Sequence, residues 1–118
     1  MSDYLAHQRG RQGEEMAIRY LEEKGLMLVA KNYRYRRGEI DLVMRNQNTL
    51  IFVEVKLRRN ANFGDPETFV DQAQAERIAE AADQYMHEVA WESNIRFDIV
   101  AITLQPQIVI EHFEDAFC

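Results

Sequence analysis

Cysteine is almost missing from this chain of 118 residues: the single thiol is Cys118, at the last position. One cysteine closes no internal disulfide, which excludes a disulfide-stapled secreted scaffold and a cysteine-rich zinc module. It leads us to expect a reducing, cytoplasmic setting. Long apolar runs are missing too. The longest, Leu26–Ala30, has five residues, against the ~20 that cross a bilayer, so no membrane partner is expected. Met1–Gly13 is mostly polar and lacks the charged-then-apolar pattern of a leader. With only two prolines and five glycines there is no linker-like stretch, and no repeat or low-complexity segment divides the chain. His7, His87 and His112 show no metal-ligand spacing, which argues against zinc. No Walker-type phosphate loop is present, so NTP hydrolysis is not expected.

What is there suits one domain. The length and a hydrophobic content of 47% are enough to bury a core without staples. We read a flexible polar tail over 1–9 and a single domain over 10–118. The net charge is −6, but it is unevenly spread: residues 1–60 carry a net +4 and residues 61–118 a net −10. Many of the positive charges crowd into Lys31–Arg37 and Lys56–Arg59. A local basic patch, rather than the global sum, sets the field that a phosphate backbone meets. An unevenly charged, solvated surface is the plainer alternative.

Between Gly13 and Lys24 the apolar positions Met16, Ala17, Tyr20 and Leu21 form a helical stripe, with Gly25 as its terminator, so a helix is expected over 12–24. Leu26–Arg36, rich in Leu, Val and Tyr, reads as a strand with an irregularity near Lys31-Asn32. Glu39–Arg45 alternates, with Ile40 and Leu42 on one face and Glu39 and Asp41 on the other. Asn46-Gln47-Asn48 makes a hairpin turn into Thr49–Arg58, whose odd positions Ile51, Val53, Val55 and Leu57 are all apolar. Asp65-Pro66-Glu67 is a helix start, and a long helix is expected from there to His87–Ala90. Its stripe is Val70, Ala73, Arg77/Ile78, Ala81, Tyr85 and Val89. Arg96–Leu104 and Gln107–Phe113 are two further strands. The order αβββαββ implies an α/β domain with a central mixed β-sheet flanked by helices.

The chemistry lies where a bland strand would carry no charge. Glu54 and Lys56, two apart in an extended strand, share a face. The strand is too hydrophobic to hold ionised groups without a partner or a metal. The hairpin brings Asp41 towards Glu54. Two carboxylates and a backbone carbonyl, that of Val55, are hard oxygen ligands suited to Mg²⁺ or Mn²⁺. A metal so held polarises a phosphoryl oxygen and helps activate water, while Lys56 orients that water or offsets charge building on the phosphate. The residues therefore suggest phosphodiester hydrolysis, with a structural ion pair as the alternative.

Gly38-Glu39-Ile40-Asp41-Leu42-Val43 followed by Phe52-Val53-Glu54-Val55-Lys56-Leu57-Arg58 resembles the YraN family of small bacterial proteins. Further matches are Gly13-Glu14, Ala17, Tyr20-Leu21, Asn32-x-Arg34, Phe63-Gly64 with Pro66, and Arg96-Phe97-Asp98, so that the resemblance runs from Gly10 to Ile102. That family is placed with the restriction-endonuclease-like PD-(D/E)xK nucleases and is similar to archaeal Holliday junction resolvases. The resemblance implies a restriction-endonuclease-like fold, with Asp41 and Glu54 as metal ligands and Lys56 as the catalytic lysine. It adds Glu14 as a further acid from the first helix. Where many family members carry a lysine on the long helix, this chain has Gln74. By the same resemblance the partner is DNA of branched or junction structure, and the protein a homodimer. A non-catalytic DNA-binding or adaptor domain on the same fold is the second expectation.

Of the remaining charged residues, Arg34, Arg36, Arg37, Arg58 and Arg59 are expected to contact phosphates, and Tyr33 and Tyr35 to face the core. Glu39 either reaches the metal through water or pairs with one of Arg34, Arg36 and Arg37. Glu14 is otherwise half of a surface pair with Glu15. The acids Glu76, Glu80, Asp83 and Glu88 on the long helix read as a solvated face pointing away from nucleic acid.

Overall fold

The computed structural model describes residues 2–60 and 70–118, with side chains from residue 10 onward. Its elements are α1 (Ser2–Glu23), β1 (Met27–Tyr35), β2 (Gly38–Asn46), β3 (Thr49–Arg58), α2 (Gln72–Val89), β4 (Asn94–Thr103) and β5 (Val109–Phe113). The order is αβββαββ, as the hydrophobic pattern implies. The five strands form one sheet in the order β1-β2-β3-β4-β5. Every neighbouring pair is antiparallel except β3 and β4, which run parallel in register from Thr49↔Asn94 to Arg58↔Thr103. A parallel pair needs a crossover connection, and α2 lies within it.

The alternation of β3 decides how the helices sit. Ile51 and Val53 pack with Ala17 and Leu21 of α1, and Val55 and Leu57 join the same cluster at its edge. Phe52 faces the other way, into a cluster with Ile78, Ala81 and Ala82 of α2. The small alanines let α2 lie close to the sheet. The result is three layers, with α1 and α2 on opposite faces of the sheet.

Four expectations change. The helix runs back to Ser2, across the stretch read as a polar tail over 1–9. The helix start at Asp65-Pro66-Glu67 lies outside the described residues, and α2 begins at Gln72, where Asp71 caps it by accepting the Gln74 N–H at 2.8 Å. Of the expected stripe, Val70 precedes α2, and Ala73 and Val89 are exposed instead of completing the buried face. Most consequentially, Ile40 and Leu42 do not share a face: Ile40 packs under α2 and Leu42 under α1. The irregularity lies at Asp41. Asn32 opposite it sits at φ 54°, a left-handed conformation, and the pair is skipped between Lys31↔Leu42 and Tyr33↔Ile40 with the register kept; the β1–β2 register itself shifts between Leu28 and Ala30. The β2–β3 pairing starts at Leu42↔Val53 and runs to the hairpin turn, so β2 leaves β3 at Asp41.

At the far end of the sheet Asp98 is fully buried and fastens β5 and the chain beyond it to β4. Arg96 donates to both of its oxygens at 2.9 Å, His112 Nε2 lies 2.7 Å from Oδ2, and the Asp115 N–H donates to Oδ1 at 3.0 Å. Burial alone would raise the Asp98 pKa, but the hydrogen bonds from His112 and Arg96 outweigh it and hold the carboxyl below its ordinary value.

Candidate active site

Where β2 departs from β3, the Val55 N–H has no backbone carbonyl opposite it in the β2–β3 register. The Asp41 side chain takes that place: its Oδ2 accepts the Val55 N–H at 2.8 Å. A carboxylate thus substitutes for a ladder carbonyl and satisfies a donor that would be expensive to leave unpaired. A strand residue points its N–H and C=O to the same edge, so the Val55 carbonyl also faces the opening.

Glu54, on the α2 face of β3, is 9% exposed. Gln74 of α2 donates its Nε2 to Glu54 Oε2 at 3.2 Å. A cavity of about 170 Å³ is lined by Arg37, Gly38, Glu39, Asp41, Glu54, Gln74, Arg77 and Ile78. Gly38 makes this closeness feasible, because a Cβ there would meet the Arg77 carbonyl oxygen at 2.2 Å. Only glycine lets the β1–β2 turn press against α2.

The electrostatics follow from burial. Desolvation, followed by the charge of Glu54 and a hydrogen bond with it, pushes the Asp41 pKa well above the carboxylate range, against the lowering effect of the Val55 N–H. Desolvation also raises Glu54, and the hydrogen bond from Asp41, the charge of Lys56 and the Gln74 amide partly offset it. Without a countercharge the pair retains a proton. Glu14 is raised by burial and by the charges of Asp41 and Glu39, while its hydrogen bond from Asn32 Nδ2, at 2.9 Å, works the other way.

The structure therefore brings together Asp41, Glu54, Gln74 and the Val55 backbone, with Lys56 acting on Glu54. Glu14 stands in the field of Asp41 but does not line the cavity. Among the described residues no group of three or more His, Cys, Asp or Glu side chains is gathered as a metal site. The oxygen donors at the opening are the two carboxylates and the Val55 carbonyl.

The basic residues separate into three environments. Arg34 pairs with Glu39 at 3.3 Å, and Arg36 with Glu80 at 3.1 Å. The acidic face of α2 accordingly does not point away from the basic run: Glu80 takes Arg36, and Glu88 accepts the Tyr33 hydroxyl at 2.7 Å. Arg58 and Arg59 line a different cavity, of about 520 Å³, with Val55, Leu57, Leu104 and Gln105. Arg58 Nε also donates to Thr103 Oγ1 at 2.9 Å. Arg37 alone of the five lines the acidic cavity. Arg77 joins it there, a residue the sequence reading left in the helix stripe. Its signal was its spacing, three residues after Gln74 and so one helical turn along the same face.

A mixed five-stranded sheet between two helices, with a buried Glu54 beside a half-buried Asp41 at the point where an antiparallel ladder opens, defines a small α/β domain with an electrostatically loaded cleft. The chain belongs to the family described as uncharacterised protein family UPF0102, whose model matches residues 13–102. Its similarity to family members extends over most of each chain. A UPF0102 protein of Cytophaga hutchinsonii is 44% identical over 96 residues, covering 81% of this chain and 85% of the relative. One of Christiangramia forsetii is 39% identical over 109 residues, covering 92% of both. One of Solibacter usitatus is 45% identical over 112 residues, covering 92% of this chain and 84% of the relative. The matched segment includes Glu14, Asp41, Glu54, Lys56 and Gln74.

Proposed function

We propose that this protein is a divalent-metal-dependent endonuclease that hydrolyses DNA phosphodiester bonds, on a restriction-endonuclease-like fold. The observation that carries the reading is the coupled pair Asp41 and Glu54, held at a ladder break beside Lys56. A buried Glu54 beside a half-buried, desolvated Asp41 whose ionisation it opposes is a poor structural element, and a bound cation would relieve that cost. The donor set fits Mg²⁺ or Mn²⁺: Asp41, Glu54 and the Val55 carbonyl are hard oxygen donors, and such ions keep several waters besides. When bound, the cation supplies charge that polarises a phosphoryl oxygen and acidifies water.

The protein groups do the rest. Asp41 and Glu54 would hold the metal, and Gln74 fixes the Glu54 carboxylate. Lys56 orients the attacking water and offsets charge building on the phosphate. Glu14 adds negative charge from α1. Branched or junction DNA as substrate, and a homodimer to cut two strands, extend this reading through the resemblance to resolvases. One observation favours a second reading, a non-catalytic DNA-binding protein: Gln74 occupies Glu54 without bringing the positive charge a lysine would.

The test is cleavage of labelled duplex, single-stranded, flap and four-way-junction DNA with Mg²⁺ or Mn²⁺ by wild type, Asp41→Asn, Glu54→Gln and Lys56→Ala. Metal-dependent cutting that each substitution lowers by at least ~10²-fold, the scale of removing a positioned charge from an active site, supports the nuclease. Tight DNA binding with no cutting by any of the four proteins would move the assignment to the second reading.

A further inference from the structure

Arg37 and Arg77 line the acidic cavity, and both also line a neighbouring one of about 280 Å³ with Tyr35, Arg36, Gly38 and Glu80. Gly38 is common to the two, so they form one groove across the β1–β2 turn and α2. The charges along it are sorted. Glu39 is taken by Arg34 and Glu80 by Arg36, which neutralises the flanking acids. Among the described residues Arg37 and Arg77 make no ion pair. The groove therefore holds the acid pair Asp41 and Glu54 in one part, with Arg37 and Arg77, neither of them ion-paired, lining both parts beside it.

Fold stability does not explain this arrangement, because an arginine within a groove beside four carboxylates would ordinarily pair with one of them. It suits a ligand that carries two anionic groups in series. One would face the acid pair, which would hold a cation, and the other meets the planar donor forks of the arginines, which match phosphate oxygens. We propose that Arg37 and Arg77 form a phosphate clamp that seats a second phosphodiester of the substrate strand, adjacent to the one presented to Asp41 and Glu54. The identity of the strand rests on the nuclease reading; the anion site does not. The turn is held for this task. Arg36 adopts φ 55° and Gly38 abuts the Arg77 backbone, so the two guanidiniums start from a common, fixed base.

The experiment has two probes. Inorganic phosphate is titrated into the full chain while the arginine Nε resonances are followed, and a short single-stranded oligodeoxynucleotide is titrated by fluorescence anisotropy at several salt concentrations. The variants are Arg37→Gln, Arg77→Gln and Arg77→Lys. Both arginines are exposed, so the core is untouched, and thermal unfolding checks this. Saturable phosphate shifts at Arg37 and Arg77 are expected. Each glutamine variant should weaken oligonucleotide binding about tenfold, as for a lost hydrogen bond to a charged group, and lower the salt slope by about 0.7. Arg77→Lys keeps the slope and loses affinity, since the point charge remains without the fork. Phosphate shifts confined to Arg58 and Arg59, or affinity in the glutamine variants within twofold of wild type, would overturn the clamp. Clamp binding without metal-dependent cutting removes the nuclease reading alone. Cutting with unchanged KM in Arg37→Gln and Arg77→Gln removes the clamp alone.

Discussion

Asp41→Asn should make the protein more stable at neutral pH and flatten its pH dependence. Glu54 is buried with Asp41 half-buried and desolvated beside it, and the folded state holds a proton there at pH values where the unfolded chain has released it. The folded state then binds more protons than the unfolded one, so stability is greatest below the ordinary carboxylate pKa near 4 and falls as pH rises through neutral. The slope is ~1.4 kcal/mol per pH unit per retained proton, which amounts to about 2.7 kcal/mol between pH 5 and 7 as an upper figure. At about 4 °C per kcal/mol for a chain of this size, that is roughly 10 °C in Tm. Asparagine keeps an oxygen for the Val55 N–H, now accepted at 2.8 Å, and its amide can donate to Glu54 in place of the shared proton. Thermal unfolding by circular dichroism at pH 5, 6, 7 and 8 reads the effect: wild type should lose Tm across the series, and the variant should lose less than half as much. A divalent cation at a hundredfold excess over its Kd should add about 2.7 kcal/mol to wild type at pH 7 and little to the variant. Equal pH slopes in the two proteins, or a variant less stable than wild type at pH 7, would refute the idea that the carboxyls repel each other in the fold.

Two further outcomes follow from packing at either end of the sheet. Gly38→Ala places a Cβ where the Arg77 carbonyl oxygen stands at 2.2 Å, so α2 must shift; a loss of about 1–3 kcal/mol, as for overpacking, should appear in urea unfolding. Unchanged stability would show that α2 moves freely. Asp98→Ala leaves Arg96 and His112 without their shared buried partner, and denaturant unfolding should record a loss of about 3–5 kcal/mol. Because the Asp98 carboxyl is held below its ordinary pKa, its contribution is fully present above pH ~4 and disappears as pH falls through the folded value. An acid-unfolding midpoint that does not move in Asp98→Ala would remove Asp98 from the acid limb.

Much of the arrangement was readable from residues. The odd apolar positions of Thr49–Arg58 identified the central strand, and the turn at 46–48 placed Asp41 across from Glu54. The Glu39–Arg34 pair was one of the two stated alternatives. An irregularity near Lys31-Asn32 was legible, and Asn32 does adopt a left-handed φ; that Ile40 and Leu42 face different layers was not, because strict alternation assumes an unbroken ladder. Nor was the start of α1 visible. Periodicity reports burial, and Ser2–Gly10 offers no apolar stripe to read. The acids Glu80 and Glu88 looked solvated because nothing in the chain tells that α2 lies beside β1. Arg77 was missed for the same reason: its neighbour Gly38 is distant in sequence and touches it only through the crossover.

The ladder break explains how one sheet can be rigid and open at once. β3 is paired with β4 through every residue from Thr49 to Arg58, so the strand bearing Glu54 and Lys56 is held fast while β2 swings away on its other side. Groups on a fixed strand keep a defined geometry. Asp41 closes the gap left behind, and it thereby serves two ends: its oxygen satisfies the Val55 N–H, and its ionisable carboxyl, beside Glu54, sets the electrostatics of the cleft. Alanine at this position would remove both, leaving a buried N–H unpaired at a cost of about 1–3 kcal/mol and making any loss of activity ambiguous. Asparagine separates them. If Asp41→Asn folds at least as well as wild type and yet fails to cut DNA, the loss belongs to the missing charge and not to a collapsed opening. If it cuts normally, the carboxylate is there for the backbone alone, and the metal reading of the cleft falls with it.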